Sequence, residues 1–122
     1  MNFILKLVKM SYYLNNNIHK GDLIMEISMN HGAELVISIK GRLDTVTSQE
    51  FTSAVEKEEI KEGVVVIEAK DLEYISSAGL RALLALKKSL ASSSKELEIH
   101  HLNPVCQEVF KVTGFNNILT VK

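Results

Sequence analysis

At 122 residues the chain has the length of one ordinary domain, and with 46% apolar and 24% charged residues it can build a globular core. A net charge of −1 and a pI near 6.4 exclude the basic footprint of a direct nucleic-acid binder. The single cysteine, Cys106, excludes an internal disulfide framework and suits a reducing compartment, and no apolar run approaches the roughly 20 residues of a membrane span, so a soluble cytoplasmic protein is expected.

The opening MNFILKLVKM is interrupted at Lys6 before a secretory core of roughly 7–15 apolar residues can form. Residues 1–24 differ from the rest: SYYLNNNIHKGD has an asparagine run, no period and a Lys-Gly-Asp turn. Either they are an N-terminal extension, with a short helix or arm on residues 3–14, or translation starts at Met25. Residues 25–122 read as one domain. Two strands come first, joined by the turn cluster NHGA, Asn30 to Ala33. In the second, Leu35, Ile37 and Ile39 alternate with Val36, Ser38 and Lys40, and Gly41 ends it.

RLDTVTSQEF then supplies Asp44, Thr45 and Thr47 as N-cap candidates, with Glu50 at capping-box spacing from Thr47. The helix that follows runs to about Glu59 and buries Phe51, Ala54 and Val55. VVVIEA is apolar at successive positions, which predicts a central strand covered on both faces. An acidic turn leads into a helix from about Ala78 to Ser92, whose Leu80, Leu83, Leu84, Leu86 and Leu90 face the sheet. KELEIHHL is the next strand. Pro104 opens a third helix with Val105, Cys106, Val109 and Phe110 as its apolar side, Gly114 closes it, and NILTV is a terminal strand. The order β-β-α-β-α-β-α-β predicts an α/β domain, a mixed sheet of four to five strands flanked by helices.

Little of this carries chemistry. His100 and His101 are neighbours in a strand and should point to opposite faces, and no other histidines show metal-ligand spacing. SSAG, Ser76 to Gly79, is not a nucleophile elbow, and Cys106 on an apolar helix face reads as a small buried hydrophobe. What remains is Asp44 after one strand and Ser76-Ser77 where another strand hands over to a helix. Either serine can be an N-cap worth about 1 kcal/mol. A phosphate at the same place would meet free N–H groups and the positive end of a helix, so the fold would tolerate it while its surface charge changed.

GRLDT (41–45), DLEYISSAGLRALL (71–84) and VFKVTGFNNIL (109–119) together resemble the STAS domain of anti-sigma-factor antagonists and of the cytoplasmic tails of sulfate transporters. The resemblance spans about residues 25–122. It implies a small mixed sheet flanked by helices and a protein that is a kinase substrate and no enzyme; with no metal-ligand spacing and no phosphate loop in the sequence, neither metal nor cofactor is expected. It implies a serine-kinase anti-sigma factor as partner, phosphorylation by that kinase to break the complex, and a PP2C-type phosphatase to restore it. Aligned on Gly79, Ser77 takes the phosphoacceptor position, with Ser76 as backup. Asp44 becomes the carboxylate beside it, and Thr45, Ser76, Ala78, Gly79 and Arg81 complete the partner surface, with Arg81 one turn after Ser77. Two positions depart from the family pattern: Ser76 stands where an acid is usual, and Ala78 where a second hydroxyl is. The alternative implied by the same family is a STAS subunit of a membrane lipid-transport complex, docked on its ATPase.

Overall fold

The computed structural model describes residues 3–8 and 25–122. The chain runs β1 (Phe3–Val8), β2 (Met25–His31), β3 (Leu35–Leu43), α1 (Thr47–Glu56), β4 (Val64–Glu68), β5 (Leu72–Ile75), α2 (Ser77–Ala91), β6 (Glu96–His100), α3 (Pro104–Thr113), a 3₁₀ turn (Phe115–Asn117) and β7 (Thr120–Val121). One sheet holds the seven described strands in the order β1-β2-β3-β4-β6-β7, with β5 also on β3. Pairing is antiparallel from β1 to β3 and parallel from β3 onward. This is the expected mixed α/β architecture with three helices, extended by two strands.

The first extra strand is β1, in register with β2 from Phe3 opposite Asn30 to Val8 opposite Met25. The helix or arm expected on 3–14 is therefore a strand over 3–8; the remainder of that expectation lies outside the described residues. The second is β5, inside the stretch expected to be an acidic turn. The turn is confined to three residues, closed by the Leu72 amide donating to the Ala69 carbonyl at 3.0 Å. The chain then resumes extended backbone and buries Leu72 and Ile75. Strand β3 does not end at Gly41. Gly41 adopts φ 102° at a bulge, and the strand continues to Leu43, leaving β4 for β5 as its partner. A side chain at Gly41 would resist that left-handed backbone.

Period-2 burial puts Met25, Ile27 and Met29 of β2, Leu35, Ile37 and Ile39 of β3, Val65 and Ile67 of β4, and Leu97 and Ile99 of β6 on one face. The three helices share one core with that face, contributing Phe51, Ala54, Val55, Leu80, Leu83, Leu86, Leu90, Cys106 and Phe110. The described helices thus all lie on one side of strand β4. Val66, on the other side, is buried as well and pairs with Val36 and Glu98 of the neighbouring strands. Leu84, expected to face the sheet, stays half-buried on the flank of the α2 stripe. In α3 Cys106 and Phe110 are fully buried in the core and Val109 packs against it half-buried, whereas Val105 is 57% exposed. The four apolar positions of α3 span too wide an arc for a helix at the sheet margin to bury them all. Burial pushes the Cys106 thiol up, away from thiolate chemistry. Gly114 closes α3 in the left-handed conformation, φ 79°. The terminal strand is two residues long because Phe115–Asn117 coil into the 3₁₀ turn.

Helix α1 is shorter than expected, ending at Glu56 rather than Glu59. None of the described helices is long and apolar enough to cross a membrane.

Candidate functional site

Strands β3 and β5 end side by side, Leu43 opposite Ile75; β3 leads through a three-residue turn into α1, and β5 through Ser76 into α2. The Ser76 amide donates to the Leu43 carbonyl at 2.9 Å and locks the two junctions together. Pairing of β3 with β5 therefore brings Asp44 and Ser76-Ser77 to one place, although they stand about thirty residues apart in the chain.

Asp44 is committed to its own helix. Its Oδ1 accepts from the amides of Val46 and Thr47, both at 3.0 Å, and from the Thr47 hydroxyl at 3.2 Å, while its carbonyl accepts from the Ser48 amide at 2.9 Å. It caps a turn that leads into α1. The expected capping role of Thr47 is displaced: Thr47 is already inside the helix, fully buried, with its hydroxyl donating to the Arg42 carbonyl at 2.7 Å and accepting from the Asp44 amide at 2.9 Å. The second carboxylate oxygen, Oδ2, lies 3.7 Å from Arg42 Nε. Arg42 in turn lies over the Tyr74 ring, its guanidinium carbon 4.8 Å from the ring centre. Arg42 is half exposed, so this pairing orients the carboxylate more than it stabilises the fold. Replacing Asp44 with Ala is expected to cost about 1–2 kcal/mol in denaturant unfolding, the upper range for a lost cap. An unchanged midpoint would deny Asp44 that role.

The two serines have unequal surroundings. Ser76 is the N-cap of α2, with extended backbone, its Oγ accepting from the Gly79 amide at 3.3 Å and its carbonyl accepting from the Leu80 amide at 2.9 Å. Ser77 is the first helical residue and is exposed. Gly79 is buried where α2 touches the strand ends. A Cβ there would stand 2.4 Å from the Leu43 carbonyl oxygen and 2.8 Å from Ile75 Cγ1.

Beside Ser77 an open groove separates the N-terminal ends of α1 and α2. It is lined by Thr45, Ser48, Gln49, Thr52, Ala78, Arg81 and Ala82. The predicted positions Thr45, Ala78 and Arg81 thus share one depression. Arg81 is exposed at its margin, and Lys88 lies farther along α2. Arg42, Tyr74 and Gln49 belong to this end of the molecule but carried no signal in the sequence. Only the β3–β5 ladder places Tyr74 against Arg42.

The histidines also differ from expectation. His101 lies beyond β6 with φ 63°, which breaks strand alternation and brings its ring within 5.8 Å of that of His100, edge to face. Each ring has its own carboxylate: His100 Nε2 lies 2.9 Å from Glu98 Oε1, and His101 Nδ1 lies 2.8 Å from Glu68 Oε1. The glutamates are thereby engaged as structural partners on the polar side of the sheet.

The family model described as Mlab, STAS domain, matches residues 29–120. The chain belongs to the STAS family. The STAS domain is 28% identical over 102 residues to the anti-sigma-B factor antagonist of Listeria monocytogenes, covering 83% of this chain and 90% of that one. It is 34% identical over 91 residues to a Bordetella bronchiseptica protein provisionally named anti-sigma factor antagonist BtrV, covering 71% and 76%. Its fold is shared with the anti-sigma factor antagonist SpoIIAA in its unphosphorylated form, with a TM-score of 0.67 at 14% identity over 79% of this chain and 87% of that one. The same Bacillus protein in its phosphorylated form gives a TM-score of 0.60 at 14% identity, over 79% and 90%.

Proposed function

We propose that this STAS domain is an anti-sigma-factor antagonist that binds a serine-kinase anti-sigma factor and lets go when Ser77 is phosphorylated. The observation that carries the reading is the division of labour at the α2 N-terminus. Ser76 supplies the cap, so the Ser77 hydroxyl is left exposed and unneeded by the fold. The names of the curated relatives and the existence of a phosphorylated protein of this fold support it.

The physical chemistry is local. In the unmodified protein the groove between α1 and α2, with Thr45, Ala78 and Arg81 at its walls, receives the kinase. Transfer of a phosphoryl group from the kinase's nucleotide to Ser77 Oγ adds roughly −1.5 to −2 charges. The first turn of α2 offers that phosphate unpaired N–H groups and a positive dipole end, so the helix stays folded. The same charge falls beside Asp44, which its cap holds in place, and the docked surface becomes repulsive. A PP2C-type phosphatase would restore it by hydrolysis. Gly79 and Ser76 act as positioning residues here, because they set where Ser77 stands.

Affinity capture with the unmodified full chain, followed by mass spectrometry of the partner and of the Ser76–Ser77 peptide after adding ATP, tests this reading. A serine kinase and a phosphate on Ser77 are expected. Recovery of a transport ATPase in place of a kinase, or phosphate confined to Ser76, would overturn it. The Ser76→Ala chain should lose about 1 kcal/mol of stability with its cap and still be phosphorylated at Ser77.

A further inference from the structure

A separate cluster of titratable groups lies at the opposite end of the parallel strands. His31 ends β2 at the turn into β3. Its Nδ1 stands 2.7 Å from Glu62 Oε2 and its Nε2 stands 2.6 Å from Glu58 Oε2. Both carboxylates belong to the segment that returns from α1 to β4, so one ring ties two separate connections together. The three side chains are largely shielded, with 17%, 18% and 9% exposure for His31, Glu58 and Glu62.

A neutral imidazole has one N–H and one bare nitrogen, and a bare nitrogen facing a carboxylate is repelled. Carboxylates at hydrogen-bond distance from both nitrogens therefore specify the imidazolium, which donates to each. The other charged groups nearby are otherwise engaged or exposed. Glu34 lies exposed in the same turn, Glu59 and Lys61 pair with each other at 4.0 Å, and Lys95 from the α2–β6 connection donates through Nζ to the Ile60 carbonyl. Among the described residues, Glu58 and Glu62 are the groups that contact the ring.

We propose that His31 is a proton-operated latch that fastens the α1–β4 loop to the β2–β3 turn and releases it when the imidazolium loses its proton. The hydrogen bond to Glu58, then that to Glu62, holds the His31 imidazolium above its ordinary value of 6.5, against the opposing effect of burial. For Glu62, burial pushes upward, but hydrogen bonds from its own amide and from His31 outweigh this and leave it below 4.5. The signs give a window. The His31 contribution is complete below 6.5 and is lost as pH rises through its raised value; the Glu62 contribution is lost as pH falls through its lowered one. The latch is closed between the lowered Glu62 value and the raised His31 value, and opens as pH rises through the latter. Glu58 and Ile60 also line the groove formed by Phe51, Val55, Leu86 and Leu90, so opening loosens one wall of that groove.

NMR titration of the full chain from pH 5 to 9 tests the latch. The His31 ring is expected to titrate above 6.5, with the amides of residues 58–63 shifting at the same midpoint. In His31→Gln that loop transition should vanish, and Glu58→Gln or Glu62→Gln should each lower the His31 midpoint. If His31→Gln fails to fold, the two glutamate variants carry the test alone. A His31 midpoint at or below 6.5, or loop amides that ignore it, would overturn the proposal.

Discussion

A Ser77→Asp chain is expected to bind the proposed kinase partner about 100-fold more weakly than the unmodified protein, whereas Ser77→Ala should bind within a few-fold of it. Like charges brought together in an interface cost several kcal/mol, and about 3 kcal/mol corresponds to about 100-fold in Kd. The added carboxylate sits at the first position of α2, next to a junction where Asp44 is already anchored by three donors and cannot swing away. Thermal unfolding of both variants should stay close to that of the parent, because an acid at a helix N-terminus is favoured by the helix dipole. The two measurements separate a switch from damage. Calorimetric titration against the captured kinase supplies the first; equal affinity of the Ala and Asp variants would sink the switch. The weakening should persist in moderate salt if the new charge is partly desolvated in the complex, and should shrink steeply with salt if it stays at a wet rim.

Gly79→Ala is expected to destabilise the domain by about 2–3 kcal/mol, lowering Tm on the order of 10 °C. The new methyl group would stand 2.4 Å from a backbone oxygen, the Leu43 carbonyl, which no rotamer change can move. Relief requires α2 to lift from the ends of β3 and β5, weakening the 2.9 Å bond from the Ser76 amide to that same carbonyl. The usual gain from a less flexible unfolded chain, about 0.4–1 kcal/mol, is too small to offset this. Gly63→Ala is the control: no atom lies within 4 Å of its added methyl group, and it should be neutral to slightly stabilising. Because lifting α2 separates Ser77 from Asp44, Gly79→Ala should also weaken partner binding at temperatures where it remains folded. A Gly79→Ala protein as stable as Gly63→Ala would mean that the two junctions are not in contact.

Much of this molecule is written in local patterns. Alternating apolar residues in β3 and β6, the heptad-like leucines of α2, Pro104 and Gly114 at the ends of α3, and a serine at the start of α2 all act over one or two turns of chain. Their physical causes are local too: side-chain direction, missing N–H groups and the φ range of glycine. For that reason the core residues Phe51, Ala54 and Val55 and the buried Cys106 were legible without any coordinates. Which of Ser76 and Ser77 caps α2 was not, because both are good N-caps by composition. It takes the backbone of Ser76, extended and bonded to Leu43, to make it the cap and Ser77 the first helical residue.

The errors have a common origin in contacts between distant segments. Strand β5 is too short and too acidic to announce itself, and it exists because the bulge at Gly41 leaves the end of β3 free to pair with it. Val105 belongs to an apolar pattern but faces outward because α3 meets the sheet at its margin. The His100 and His101 rings meet because one positive φ breaks alternation. The amino-acid sequence by itself determined most of the element types, most of the buried faces and the family, since each rests on periodicity or on a contiguous motif. Only the tertiary structure decided that the Ser76 amide bonds the Leu43 carbonyl next to Asp44, that Arg42 lies over Tyr74, and that His31 is held between Glu58 and Glu62. Those contacts join residues some thirty positions apart, and sheet register and loop closure, which no local pattern encodes, determine which residues meet.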